Sequence, residues 1–554
     1  MIPVEERLQQ AEHAISGIER LAHDYLETLA GKVVRDNAVH APFLEKHQFA
    51  SHGYAWAATY LEALRQLVDW SGRLLEQGGF TELDQAVFKT GTGAYLQQLL
   101  HGIAMSQDEV FRPGDIPSPA ILAELMADDS INQLIRDGNT IENRVRIAEL
   151  LAGGEQPVEP TLDPTLTLVR EQFRRFADEE IAGQAGEWHR QDSLIPSGLI
   201  RQLAEMGVFA VCIPEQYGGH ASGKLAMCII TEELSRGYLG VGSLATRSEI
   251  AAELILKAGT EEQKRRYLPG IASGDILPAV LVTEPDAGSD LAGLKTRAVK
   301  AGDCYGITGN KTWSTHAGRA NLMVLLARTD PTEKGYRGLS MFLVDKPGGT
   351  DAEPFPLQGM SGSEIPVLGY RGMKEYEISF DGCRANPDGL LGGVEGQGFR
   401  QLMASFEAGR LQTAARAVGV AQNALELALD YARQRVQFGK PILAFPRVAG
   451  KIGWMAAEIM LLRQLVYFAA RQVDTGRRCD VEAGMAKMLS ARVAWSCADN
   501  ALQIHGGNGY ATEFEISRVL CDARVLSIFE GSAEIQANII AGGLLKRRLQ
   551  KSTG

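Results

Sequence analysis

A change of texture partway along the chain does most to limit its fold. Residues 165–275 and the stretch from 397 to 554 carry helical periodicity, broken early at Pro196, Pro214 and Gly218-Gly219. Between 276 and 396 short β-rich runs take over: AVLVT (279–283), LMVLLAR (322–328), LSMFLVD (339–345) and YEISF (376–380), separated by Gly, Asp and Pro clusters. A β-block between two helical blocks is not the strand–helix alternation that builds a doubly wound sheet. It predicts a mainly α protein with a central antiparallel β-domain. No G-x-G-x-x-G follows a strand and no P-loop pattern occurs, which argues against either nucleotide-binding fingerprint.

A further helical region precedes this core. Leu8, Ala11, Ile15, Ile18, Ala22, Tyr25 and Leu29 step by three and four along one face, with Gly31 expected as the stop. Trp56, Tyr60, Ala63, Leu67, Trp70 and Leu74 repeat the pattern before Gly78-Gly79. GGEQPVEPTLDP (153–164) has no periodicity and reads as a linker. The expected organisation is an extra N-terminal helical domain (1–152), that linker, a helical domain (165–275), a β-domain (276–396) and a C-terminal helical bundle (397–554).

A net charge of −12 opposes a nucleic-acid partner but leaves room for a local basic pocket. Seven cysteines, an odd number without a C-x-x-C pair, fit a reducing compartment. MIPVEERLQQ lacks an apolar signal core, and no uninterrupted apolar run reaches the length of a membrane span. A cytoplasmic enzyme is expected.

Five segments carry residue types suited to chemistry. In LVTEPDAGSD (281–290) a strand runs into a turn where Gly288 permits close backbone approach and Ser289 adds a hydroxyl; an ordinary β-turn accounts for it equally. In KTWSTHAG (311–318) Trp313 and Thr315 alternate and are expected on one strand face, where an aromatic plane and a hydroxyl would suit a flat ring; a plain buried Trp is the alternative, and His316 beside them reads as structural. RQRVQFGKPI (433–442) gathers Arg435, Gln437, Phe438 and Lys440 after an Ala-rich helix, apt for pyrophosphate or adenine, or simply a solvated helix end. QIHGGNGY (503–510) holds more glycines than a helix cap needs. In IFEGSAEIQ (528–536) Glu530 precedes Gly531 and Ser532 where a helix begins, so Glu530 is either a general base or a partner of the helix dipole.

Together, in this order around a β-block, these motifs resemble the acyl-CoA dehydrogenase family over residues 160–548. The resemblance implies a helical domain, a β-domain and a four-helix bundle, with FAD held against a second subunit. It places Val282, Thr283, Trp313 and Thr315 at the flavin ring, and Gly288 and Ser289 beside the flavin or the CoA thioester. Arg435, Gln437, Phe438, Gln503 and Gly507 would reach the neighbouring subunit's FAD; Ser532 and Glu534 fall on its adenosine side, although many relatives have Gln at 534. Arg410 falls on the CoA side. Glu530 falls on the family's catalytic glutamate; a minority of members place the base at the position of Gly409 in FEAGR (406–410), which has no side chain to offer. Glu407 would lie on a different helix face. Glu530 would take the substrate's α-proton while hydride passes to flavin N5, and electrons would leave to an electron-transfer flavoprotein. In GYRGMKEYEISFDG (369–382), Met373 and Glu375 stand where the family usually has Ser or Asn and Thr.

The extra N-terminal region, with FEAGR, LATRSE (244–249) and IFEGSAEIQ, points within the family to oxidation of (2S)-methylsuccinyl-CoA to mesaconyl-CoA. Arg247, with Thr246 or Ser248, would receive the free carboxylate; a surface or interhelical ion pair is the other reading. Alternatives are a neutral short branched substrate of isobutyryl or isovaleryl type, an oxidase returning electrons to oxygen, and a non-catalytic flavin scaffold. By its size and apolar faces, the N-terminal region would cover the surface that relatives use to form tetramers, leaving a homodimer.

Overall fold

The computed structural model describes residues 3–107, 109–160 and 162–553. Long helices run over Val4–Val33 (α1), Gln48–Glu76 (α2), Glu82–His101 (α3), Ile141–Ala152 (α4), Leu239–Ala258 (α5), Gly398–Gln434 (α6), Pro446–Asp474 (α7), Asp480–His505 (α8), Glu515–Val525 (α9) and Ala533–Thr553 (α10). The chain forms two compact units, 1–169 with 413–554, and 170–412, so the boundary falls within α6.

In the first unit the N-terminal helices fold together with the C-terminal ones. α2, α3 and α4 pack on α7, and α2 also packs on α10. α7 is long and apolar enough to cross a membrane, but 83% of its most apolar window is buried here among the chain's other helices. Gly453 lets α4 approach closely: a Cβ there would collide with the Arg144 backbone, whose guanidinium lies 5.0 Å over the Trp454 ring. Polar ties complete the interface. Arg548 grips Glu27 bidentately at 2.7 and 2.6 Å, and His52 meets Asn538 at 2.9 Å. α1 continues past Gly31 to Val33, because a lone glycine costs only about 1 kcal/mol and Ala30 and Val33 are buried. Within the 153–164 segment, Thr161 lies outside the described residues. Val158 is pinned there, its carbonyl accepting from Trp70 Nε1 at 2.9 Å and its N–H donating to Asp84 at 3.0 Å.

The second unit holds a seven-stranded sheet: Pro278–Leu281 (β1), Arg297–Ala301 (β2), Cys304–Lys311 (β3), Leu322–Arg328 (β4), Leu339–Asp345 (β5), Met360–Ile365 (β6) and Glu375–Ala385 (β7). The order is β6-β7-β3-β2-β4-β1, with β5 also on β4. The sheet is mostly antiparallel, but β1 runs parallel to β4, and β2 meets β4 in parallel at Arg297 and Arg328. That departs from a purely antiparallel domain because neither pair is joined by a hairpin, and longer connections allow either direction. β4 and β5 are buried on both faces. Leu322, Val324 and Leu326 pack towards Ile250, Leu254 and Ile255 of α5, while Met323, Leu325 and Phe342 pack towards Ile307 and Phe380.

Gly453→Ala is expected to lower the unfolding free energy by about 1–3 kcal/mol through overpacking against α4, while Gly31→Ala, in open space on α1, raises it by up to about 1 kcal/mol. Urea titration of the two variants checks this; equal shifts would contradict the close α4–α7 approach.

Candidate active site

The turn between α9 and α10 presents Glu530. The chain leaves α9 at Val525, and the Phe529 N–H closes back on the Val525 carbonyl at 3.1 Å. Glu530 takes a left-handed φ of 53° and Gly531 follows at 87°. A non-glycine residue held this way costs about 1–3 kcal/mol unless its surroundings impose it. They do: the fully buried Lys487 donates to the Gly531 carbonyl at 2.6 Å, and Gln536 Nε2 donates to the Glu530 and Gly531 carbonyls at 3.3 Å.

The Glu530 side chain, 15% exposed, accepts hydrogen bonds at Oε2 from the Thr413 hydroxyl and, at 2.8 Å, from Arg416 Nη2. The Arg416 side chain has no exposure; its guanidinium lies 4.9 Å over the Phe529 ring and also donates to Thr413 at 2.8 Å. Thr413 and Arg416 lie on α6 three residues apart, and Gly409 lies one turn before Thr413 on the same face. The vacancy at 409 and the groups that hold Glu530 therefore share one stripe. Sequence reasoning overlooked Thr413 and Arg416. The available signal was a lone arginine within the apolar helical run AARAVG.

The other candidates in this unit lie on the hairpin after α6, at the end of α8 and at the start of α10. Arg435, Gln437 and Phe438 occupy an exposed two-stranded hairpin, 436–437 pairing with 440–441, whose turn residues Phe438 and Gly439 both have positive φ. Phe438 is 92% exposed, so the hairpin projects an aromatic ring into the surroundings. Gln503 is exposed in the last turn of α8, and Gly506 caps that helix with a φ of 60°. A Cβ on Gly509 would strike the Leu502 carbonyl, whereas one on Gly507 would meet nothing. Gly506 and Gly507 therefore keep open space beside their backbone, and Gly509 does not. Burial opposes the charge on Glu534, but the Ser532 hydroxyl and its own N–H hold the carboxyl below its usual range.

In the second unit, β1 ends at Leu281 and the 282–290 turn is organised by Glu284, whose carboxylate accepts from the Lys295 and Thr296 N–H groups at 2.7 and 2.9 Å and from the buried Lys311 at 3.0 Å. Lys311 also donates to the Val282 carbonyl at 2.9 Å, and the Thr312 N–H to that of Thr283 at 3.0 Å. Val282 and Thr283 thus lie beside the residues leading into Trp313, while Gly288 and Ser289 are exposed. Trp313 and Thr315 do not share a strand face: β3 ends at Lys311, and Trp313 takes a φ of 54°, which breaks the alternation. The result is an indole 56% exposed beside a buried Thr315. An open aromatic plane flanked by Thr283 and Thr315 fits the face and polar rim of an isoalloxazine.

A buried polar group surrounds α5. Thr246 and Thr231 donate to Gln412 Oε1 at 3.3 and 2.7 Å. Arg247 is buried, as are Ser248 and Arg410. Burial, with like charge from Arg319, Arg247 and Lys346, pushes His316 down to about 3, and neither ring nitrogen has a hydrogen-bond partner among the described residues. Arg247 is thus buried rather than on the surface, close enough to His316 for its charge to oppose protonation of that ring.

Three family models match: acyl-CoA dehydrogenase N-terminal domain over 163–275, middle domain over 279–383 and C-terminal domain over 396–545. The chain is 55% identical over 542 residues to the (2S)-methylsuccinyl-CoA dehydrogenase of Cereibacter sphaeroides, covering 97% of this chain and 98% of that one. A chain solved in work on the electron transferring flavoprotein of Acidaminococcus fermentans is 31% identical with a TM-score of 0.66, covering 70% of this chain and 99% of that one. The glutaryl-coenzyme A dehydrogenase in its glutaryl-CoA complex is 33% identical with a TM-score of 0.65, over 69% and 95%.

His316 makes stability depend on pH. Below pH 6.5 the unfolded chain protonates this residue while the folded chain does not until about 3, so the unfolded state binds more protons and stability falls by up to about 1.4 kcal/mol per unit as pH drops. His316→Gln is expected to flatten that decline in urea titrations; an unchanged slope would contradict a neutral buried ring.

Proposed function

Because this chain belongs to the acyl-CoA dehydrogenase family and is an FAD-dependent oxidoreductase acting on an acyl-CoA, we propose that it converts (2S)-methylsuccinyl-CoA to mesaconyl-CoA with Glu530 as the α-proton base. The observation that carries the base is the placement of Glu530: a largely buried carboxylate on a left-handed turn, held by Thr413 and Arg416 of α6. Arg416 stands 2.8 Å from this carboxylate and, with Thr413, fixes where its oxygen sits. The Glu530 backbone N–H would polarise the thioester carbonyl as negative charge develops there. FAD supplies the acceptor for the hydride leaving the β-carbon.

Support for this substrate is the similarity that continues through the extra N-terminal helices. Arg247 and Thr246, buried beside α5, would receive the free carboxylate by charge-assisted hydrogen bonds. A dicarboxylyl thioester brings a second anion near its own reacting carbon, and Arg416 supplies compensating charge beside the base. Val282, Thr283, Trp313 and Thr315 would face the flavin, and Gly288 and Ser289 its edge or the thioester. Arg410 would meet CoA. Arg435, Gln437, Phe438, Gln503, Gly507, Ser532 and Glu534 would hold the nucleotide part of FAD, the hairpin reaching a second subunit. Electrons would pass to an electron-transfer flavoprotein. The covering of α7 by the chain's own N-terminal helices favours a homodimer, working in the cytoplasm.

Anaerobic mixing with a panel of CoA esters, read by flavin absorbance, tests the substrate: methylsuccinyl-CoA should bleach the flavin fastest, ahead of isobutyryl- and isovaleryl-CoA. Glu530→Gln should keep the oxidised flavin spectrum and slow bleaching by at least about 10²–10⁴-fold. Arg247→Gln should lose far more kcat/KM on methylsuccinyl-CoA than on a neutral branched ester; equal losses would sink the carboxylate role. Rapid hydrogen peroxide release without an added acceptor would replace the dehydrogenase reading with an oxidase.

A further inference from the structure

The segment after β3 lies against the start of β7 in a way that commits one proton. The Ser314 N–H donates to the Tyr376 carbonyl and the His316 N–H to the Lys374 carbonyl, each at 3.0 Å. These two bonds bracket Thr315 and set it opposite Glu375. Between them the Thr315 hydroxyl donates to Glu375 Oε1 at 2.7 Å, and both residues are buried. Lys374 and His316 adopt φ values of 60° and 65°, so the backbone on both sides is held in uncommon conformations around this pair.

A hydroxyl has one proton and two lone pairs. With its proton given to Glu375, Thr315 can only accept a hydrogen bond from anything else that meets it. We propose that Glu375 is a positioning residue that fixes Thr315 as an acceptor towards the bound flavin and thereby favours the reduced ring. This rests on the assignment of Trp313 and Thr315 to the flavin edge. Oxidised isoalloxazine presents acceptors along its edge and a single N–H, whereas two-electron reduction adds an N–H to the ring. An acceptor that cannot turn donor matches the form richer in N–H groups and leaves an oxidised ring nitrogen unmatched. A mismatched buried polar group costs more than a matched one returns. Threonine at position 375 would provide no such obligatory acceptor, because its own hydroxyl could donate as readily as accept.

The sign separates this from a plain charge effect. Removing a carboxylate near the flavin eases the entry of electrons and raises the reduced fraction. Freeing the Thr315 proton to donate to the oxidised ring lowers it. The test is a spectroelectrochemical titration of the isolated holoenzyme against a dye of known potential, after the flavin spectrum confirms bound FAD. Glu375→Ala is expected to lower the reduced-to-oxidised ratio at fixed poise by about three- to tenfold, the span of one net hydrogen bond. Glu375→Gln, which keeps an acceptor oxygen, should stay at or above the unsubstituted ratio. In a Thr315→Val background, Glu375→Ala should produce no further fall. A rise or no change in Glu375→Ala, an equal fall in Glu375→Gln, or a fall that persists with Thr315→Val would overturn the proposal. Absence of FAD from the unsubstituted enzyme would instead remove the reading beneath it. If Glu375→Ala does not fold, Glu375→Leu serves with the same expected fall, and Glu375→Gln combined with Thr315→Val must not fall below Thr315→Val alone.

Discussion

A guanidinium without solvent exposure stands beside the carboxylate of Glu530, and the turn between α9 and α10 is arranged around that pair. Two charges in a dry place are costly unless each is fully engaged. The Arg416 side chain is engaged by Glu530, by the Thr413 hydroxyl and by the Phe529 ring, and the contacts with Glu530 and Phe529 require the turn after α9 to fold back over α6. The left-handed backbone at Glu530 presents its carboxylate to that charge. Lys487 and Gln536 then satisfy the carbonyls that the turn exposes, so the strain is contained within a few residues.

How much of this could be read in advance depended on whether the information lay in adjacent residues. The texture change that separates β-block from helices was plain, and β4 and β5 were legible as apolar runs because both faces are buried. β2, β3 and β6 were not: MSGSEI has four exposed residues of six, and Arg297 and Lys300 point to water, so no alternation of apolar and polar residues marked them. Glu530 was legible because its glycine neighbour and helix start are consecutive. Arg416 and Thr413 were not, since they meet Glu530 across more than a hundred positions of chain. Trp313 was singled out for a sound chemical reason but on the wrong geometry; a single left-handed residue defeats a period-of-two argument.

The same contrast runs through the unit that holds the sheet. Glu284 and Lys311 form a buried ion pair that fastens the turn after β1 to the end of β3, and neither residue looks special in its own segment. Their pairing brings Thr283 alongside the residues that lead to Trp313, which turns two separate strand endings into one surface. Glu375 stood out only as a departure from the family's usual residue. The structure gives the departure a physical content, because it decides which atom of Thr315 is left to meet a ligand.

The packing of α7 has a consequence for how this protein behaves on dilution. An apolar helix of this kind needs a cover, and a cover provided by another chain would come off as concentration falls, following mass action. Here the covering helices α2, α3 and α4 are tethered to α7 through the same polypeptide. Their effective concentration is set by the chain itself and does not change with the amount of protein present. The greasiest surface of the bundle is therefore shielded equally well in a crowded cell and in a nanomolar assay, and it leaves the pool of surfaces through which such a protein would otherwise stick to its neighbours.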